Sequence, residues 1–194
     1  MRLCAKLART LFEGLEVAAS NDGIVQPKAT MTDELVRNAA GHPLEFDPSL
    51  PVTPSKRVAI VACMDSRIDI FGLFGLGGGE AHVIRNAGGI ITSDVLRSLV
   101  ISQRLLGTRE VILVHHTDCG LQRVREPDFR AEIAGEVGAE PPYAFGAFDD
   151  LDVAVQSALD KVRDHVFLPN RMGVRGFVYD VTTGRLREIL HAVS

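Results

Sequence analysis

Several features that would place a chain in a specialised class are missing here. Three cysteines in 194 residues are an odd number and too few for a disulfide framework, so free thiols in a reducing, cytoplasmic compartment are expected. There is no basic surplus: 21 Lys and Arg face 25 Asp and Glu, for a formal charge of -4 and a pI near 5.9. Phosphate neutralisation therefore has no source, which argues against nucleic acid as the main partner. No run approaches the roughly eighteen consecutive apolar residues of a membrane span. At the N-terminus, Lys6, Arg9, Glu13 and Glu16 interrupt what would otherwise be the apolar region of a signal peptide. Internal repeats and low-complexity tracts are absent. The glycine run Gly75-Leu76-Gly77-Gly78-Gly79 does not complete a G-x-G-x-x-G opening a helix, so it reads as a turn rather than a nucleotide-binding loop.

What is present is an ordinary globular composition, 46% hydrophobic and 24% charged, in a length that suits one domain. Leu3, Leu7, Leu11 and Leu15 recur at helical spacing, predicting an amphipathic helix over 3–18 that docks on the core or on a partner subunit. The polar stretch 22–30 sets residues 1–30 apart as an extension, or as a leader preceding a translation start at Met31; residues 31–194 form the expected domain. A short helix over 31–37 is predicted with Thr32 as its N-cap, followed by a proline-rich loop over 41–55 in which His42 reads as a solvated residue.

From there the pattern becomes that of strands covered on both faces, because apolar residues run continuously instead of alternating. Strands are expected over 57–63, 81–85 and 110–115, with a helical or irregular crossover over 67–76. A helix over 93–106 is expected to open on Ser93 and Asp94, to bury Leu96, Leu99, Val100 and Leu106, and to close at Gly107. A polar region reaches to about residue 149, a helix follows over 150–165, and strands 176–181 and 185–190 flank Thr182-Thr183-Gly184 as a hairpin. Together these predict an α/β fold: an open, mostly parallel sheet flanked by helices, ending in a strand hairpin.

Two strand ends carry the chemistry. The run Val58–Ala62 leads into Cys63-Met64-Asp65-Ser66-Arg67, and Val111–Val114 leads into His115-His116-Thr117-Asp118-Cys119-Gly120. Ligands of open α/β sheets collect at such carboxyl ends. Two thiolates and an imidazole with one position left over suit a catalytic Zn²⁺, and soft sulfur disfavours Mg²⁺ and Ca²⁺. His116 is preferred over His115, which should point to the opposite face of its strand. Asp65 either coordinates the ion itself or stays free, and a bidentate pair with Arg67 would hold it off the metal.

With these residues in view, the chain resembles the β-class carbonic anhydrases. C-x-D-x-R stands as Cys63-Met64-Asp65-Ser66-Arg67, H-x-x-C as His116-Thr117-Asp118-Cys119, and Gly79-Glu80-Ala81-His82-Val83-Ile84-Arg85-Asn86-Ala87-Gly88 is similar to a further family segment. The resemblance covers about residues 56–190. It implies one Zn²⁺ per subunit on Cys63, His116 and Cys119, an Asp65–Arg67 catalytic dyad, and reversible hydration of CO₂ to bicarbonate by a metal-bound hydroxide. It also implies a closed state with Asp65 as fourth ligand, and a homodimer or higher homo-oligomer. Backbone near Gly88 and Gly89 is expected to face the substrate; Arg85 and Asn86 are expected to hold that turn. No glutamine here matches the one that approaches substrate in many relatives, and His82 and His165 read as structural rather than as proton shuttles. The rival readings are a hydrolase of another small cumulated substrate such as carbon disulfide, and a non-catalytic zinc or bicarbonate-responsive module.

Overall fold

The computed structural model describes residues 30–40 and 47–190. The helix expected over 3–18, His42, Cys4 and most of the extension lie outside the described residues. The chain divides into two units, Met1–Asp47 and Pro48–Ser194. In the first, α1 (Met31–Ala40) runs longer than expected, and its cap is Thr30 instead of Thr32. Thr30 Oγ1 accepts from the Asp33 backbone N–H at 3.2 Å, and Asp33 Oδ2 accepts from the Thr30 N–H at 2.7 Å. This reciprocal pairing needs an acidic or amide side chain three residues on, and at that distance from Thr32 stands Leu35.

The second unit is organised by β1 (Val58–Cys63), every residue of which is buried. It lies between β2 (Ala81–Asn86) and β3 (Glu110–His116) in a five-stranded sheet of order β2-β1-β3-β4-β5, with β4 at Val174–Tyr179 and β5 at Leu186–Ile189. All pairings are parallel except β4 with β5. The expected mostly parallel sheet with a terminal hairpin is thus the observed one. The chain goes from β1 outward to β2, then returns across β1 to β3, so the strand order reverses between β1 and β3. At such a switch point the loops leaving neighbouring strands diverge and leave a crevice.

One face of the sheet packs Ala59, Val61, Val111 and Leu113 against Val95 and Leu99 of α3 (Ser93–Arg104) and Val155, Leu159 and Val162 of α5 (Leu151–Arg163). Val95, absent from the expected stripe, is buried, while Leu96 and Val100 are half-buried. The cap of α3 is Thr92, whose Oγ1 accepts from Val95 N at 3.3 Å, one residue before the expected Ser93. Gly107, at φ 75°, follows the helix end as expected. The opposite face carries Ile60, Ala62 and Val114 with Ile68 and Ile70; the short α2 (Ile70–Phe74) occupies the crossover.

The polar region that reaches to about residue 149, for which no element was expected, contains a helix, α4 (Glu126–Val137), which has no buried residue and so leaves little hydrophobic periodicity to read. Its signals lie at its ends: Pro127 sits in the first turn and Gly138 follows at φ 77°. Strand limits also shift at the hairpin. Asp180 Oδ1 accepts from the N–H groups of Thr182 and Thr183 at 2.8 and 3.2 Å, ending the ladder at Tyr179.

Helix α5 packs directly over Gly176 of β4, where an added Cβ would stand 2.5 Å from Val155 Cγ1. Because Val155 is fully buried and stiff at χ1, Gly176→Ala is expected to destabilise the domain by about 1–3 kcal/mol. Gly135→Ala on α4, where an added Cβ meets nothing within 4 Å, is expected to stabilise by about 0.5–1 kcal/mol. Urea unfolding of the two variants checks both signs.

Candidate metal centre

The parallel register sets Ala62 of β1 beside Val114 of β3 and Cys63 beside Asn86 of β2, so the chains leave β1 and β3 side by side. The Sγ atoms of Cys63 and Cys119 and a ring nitrogen of His116 lie within 4.8 Å of one another, all on buried residues. His115 takes the other face, where its ring is 5.8 Å from that of Phe148 and neither ring nitrogen has a hydrogen-bond partner among the described residues. Burial pushes its pKa down to about 4, so it is neutral at pH 7.

The donors fit a zinc ion on their own chemistry. His116 Nδ1 lies 2.9 Å from the Thr117 carbonyl oxygen, so this nitrogen carries the proton and leaves the Nε2 lone pair free. That Nε2 is buried without a hydrogen-bond partner among the described residues, an expensive state for a polar atom unless a ligand occupies it. Without an ion, the two sulfurs share a proton unequally. The hydrogen bond from Cys119 pushes the Cys63 pKa down against the effect of burial, and the same contact with Cys63 pushes Cys119 up. Burial works to lower the His116 pKa, but the charge of the nearby Cys63 sulfur, with Asp65 behind it, outweighs it and raises it. A dication among these groups would neutralise both thiolates at once.

Backbone geometry delivers the sulfurs. The N–H groups of Asp65 and Gly88 face the Cys63 sulfur, and those of Leu121 and Gln122 face that of Cys119. Gly88 and Gly89, at φ 76° and 66°, turn the chain leaving β2 back over the ends of β1 and β3. A Cβ on Gly89 would lie 2.8 Å from Cys63 N and 3.0 Å from Val114 O, so only glycine permits this approach. Arg85 anchors the turn after β1: its Nε donates to Cys63 O at 2.9 Å and its Nη2 to Asp65 O at 2.6 Å. Asn86 Nδ2 donates to Ile90 O at 2.9 Å. His82 Nδ1 meets Ser102 Oγ at 2.8 Å and His165 packs its ring on Phe167, both away from the cluster.

Asp65 stands beside the donors, with Oδ2 3.8 Å from His116 Nε2. Both its oxygens are taken by Arg67: Nε donates to Oδ1 at 2.9 Å and Nη2 to Oδ2 at 2.7 Å, with the Arg67 backbone N–H also on Oδ1 at 2.9 Å. These hydrogen bonds hold the Asp65 carboxyl well below the usual carboxylate range. The structure adds two residues that the sequence reading passed over, Asp118 and Arg123. Arg67 Nη1 donates to Asp118 Oδ2 at 2.8 Å, and Arg123 Nη2 donates to Asp118 Oδ1. The signal in the sequence was an acidic residue inside the H-x-x-C spacing, in the turn that follows the strand beside β1.

The family model described as carbonic anhydrase matches residues 58–133. Beta-carbonic anhydrase 1 of Mycobacterium tuberculosis is 46% identical over 160 residues, covering 82% of this chain and 98% of that protein. A carbon disulfide hydrolase of an Acidianus species is 30% identical over 158 residues, covering 69% of this chain and 78% of that protein. Among solved structures, carbonic anhydrase from Streptococcus mutans has a TM-score of 0.78 and 38% identity, covering 84% of this chain and 99% of that chain.

Two outcomes are expected from this geometry. His116→Ala abolishes tight Zn²⁺ uptake, whereas His115→Ala leaves stoichiometric zinc, as read by metal analysis after dialysis. The Asp65 pKa is lowered on folding, so the contribution of its pair with Arg67 to stability is complete above the ordinary Asp value of about 3.9 and is lost as pH falls below it. In metal-free protein, the gap in urea midpoint between the native chain and Asp65→Asn is therefore expected at pH 7 and shrinks at pH 3. Because Arg67 is substantially exposed, that gap is small.

Proposed function

This chain belongs to the β-carbonic anhydrase family, and on that premise we propose that it catalyses the zinc-dependent reversible hydration of CO₂ to bicarbonate. The observation that carries the reading is a buried Cys63–His116–Cys119 donor set with Asp65 beside it and both Asp65 oxygens turned onto Arg67. We assign the three donors as the zinc ligands. A Zn²⁺ held by Cys63, His116 and Cys119 would supply a water whose pKa is about 7 instead of about 15.7, and so a nucleophile at neutral pH.

The chain's own residues then have distinct tasks. Ionised Asp65 can only accept hydrogen bonds, so it orients an attacking water by taking one of its O–H groups. Arg67 keeps Asp65 ionised and holds it away from the donors; were that pair broken, Asp65 would be free to become a fourth ligand. His116 is held in one tautomer by Thr117, which leaves its metal-facing nitrogen unprotonated. The backbone at Gly88 and Gly89 is assigned as a wall of the substrate site, since it presents no side chain to a small linear molecule.

We propose a homodimer in a reducing, cytoplasmic compartment. Supporting the dimer is the second sheet face, where Leu76, Val83, Ile112 and Leu121 stay only partly buried against the core. The cytoplasmic setting rests on Cys63 and Cys119 being outside any disulfide and so available to a metal in reduced form. Among the described residues, no helix is long and apolar enough to cross a membrane.

Stopped-flow CO₂ hydration by zinc-loaded protein tests the reading. Turnover is expected between pH 7 and 9, with no turnover of carbon disulfide, and Asp65→Ala is expected to lower kcat by roughly a hundredfold or more while zinc stays bound. Absence of CO₂ hydration by the native zinc protein would overturn it.

A further inference from the structure

Arg67 is the anchor of Asp65, yet only one edge of its guanidinium serves that role. The other edge is bound to Asp118: Nη1 donates to Asp118 Oδ2 at 2.8 Å and Nη2 to the Asp118 carbonyl oxygen at 3.1 Å. A planar fork gripped along two edges has no freedom to rotate. Asp118 is fixed in turn, since its second carboxylate oxygen accepts from Arg123. The residues form a row, Asp65–Arg67–Asp118–Arg123, with charges alternating along it.

The backbone at Asp118 makes this contact possible. With φ 57°, Asp118 is one of two non-glycine residues at positive φ among those described, a conformation that aspartate adopts more readily than most side chains. In it, the carbonyl and carboxylate of one residue both face Arg67. The surrounding turn does not depend on that grip. Thr117 ties it to β4 through its N–H to Tyr179 O at 2.9 Å and through Oγ1, which accepts from Val181 N at 3.1 Å. Gln122 N donates to Cys119 O at 3.1 Å on the other side.

We propose that Asp118 is a positioning residue for the hydration reaction: backed by Arg123, it fixes the plane of Arg67 and thereby the placement of the Asp65 carboxylate. This rests on the dyad role given to Asp65 and Arg67 above. The side chains of Arg67 and Asp118 are 44% and 43% exposed, so their ion pair contributes little to folding stability. Its effect lies in orientation, where a displacement on the order of 1 Å can cost about a hundredfold in rate.

A double-mutant cycle on zinc-loaded protein separates positioning from general damage. Asp118→Ala is expected to lower kcat by roughly ten- to a hundredfold, with KM and zinc content near native; Asp118→Asn, which keeps an acceptor oxygen, recovers part of the loss, and Arg123→Ala loses less than Asp118→Ala. Added to Asp65→Ala, Asp118→Ala is expected to cost almost nothing further, because the group it positions is gone. Native kcat in Asp118→Ala, beside a crippled Asp65→Ala, overturns this inference alone. An equal loss from Asp118→Ala in both backgrounds also overturns it, since that is the mark of a structural role. Full turnover in Asp65→Ala removes the dyad reading and this inference with it.

Discussion

Burial of β1 on both faces is the constraint from which the rest of the domain follows. A strand with no solvent-facing side must read Val-Ala-Ile-Val-Ala and must have neighbours on each edge. Parallel pairing to β2 and β3 then requires two crossovers, and those crossovers place α2 and α3. Because the strand order reverses between β1 and β3, the loops leaving them part, and the first residues beyond the core are free to carry chemistry. Cys63 is the last residue of that buried strand; its sulfur sits where apolar packing gives way to backbone N–H groups.

Placing two sulfurs and an imidazole within 4.8 Å of each other in a buried site is unfavourable for the protein without an ion, because the groups compete for protons and one ring nitrogen has no hydrogen-bond partner among the described residues. Preorganisation of this sort is maintained by neighbouring structure, here by Arg85 on the carbonyls of Cys63 and Asp65 and by the glycine turn over Cys63. The cluster is tuned from outside as well. Arg67 draws the Asp65 carboxylate toward solvent-exposed partners, so a negative group stands near the donors without joining them.

How much could be read in advance depended on the kind of physical signal. Continuous apolar runs marked β1 and β3, and the strand-end positions of Cys63, His116 and Cys119 followed from them. Alternation along a strand separates His116 from His115 in the sequence itself. Helix α4 escaped because it buries none of its residues and therefore leaves no periodic stripe. Several hydroxyl or acidic groups adjoin both helix starts, which is why Thr32 and Ser93 stood in for the caps Thr30 and Thr92; at α1 the acidic side chain three residues on is what singles out Thr30. Asp118 was hidden for a different reason: its partner Arg67 belongs to another strand end, and a contact across a sheet has no local spacing to reveal it.

The adjacent histidines of β3 have one more consequence. Because successive side chains alternate between faces, the identity of the ring at the metal centre is set by the parity of the strand count from Glu110. A one-residue slip of β3 against β1 and β4 would still place apolar residues on both faces, because Val111 to Val114 are all apolar, yet it would exchange the two rings and send His116 into the apolar space beside Phe148. The pairing of β3 with its neighbours thus selects the ligand, although most of the residues that set that pairing touch none of the reactive groups.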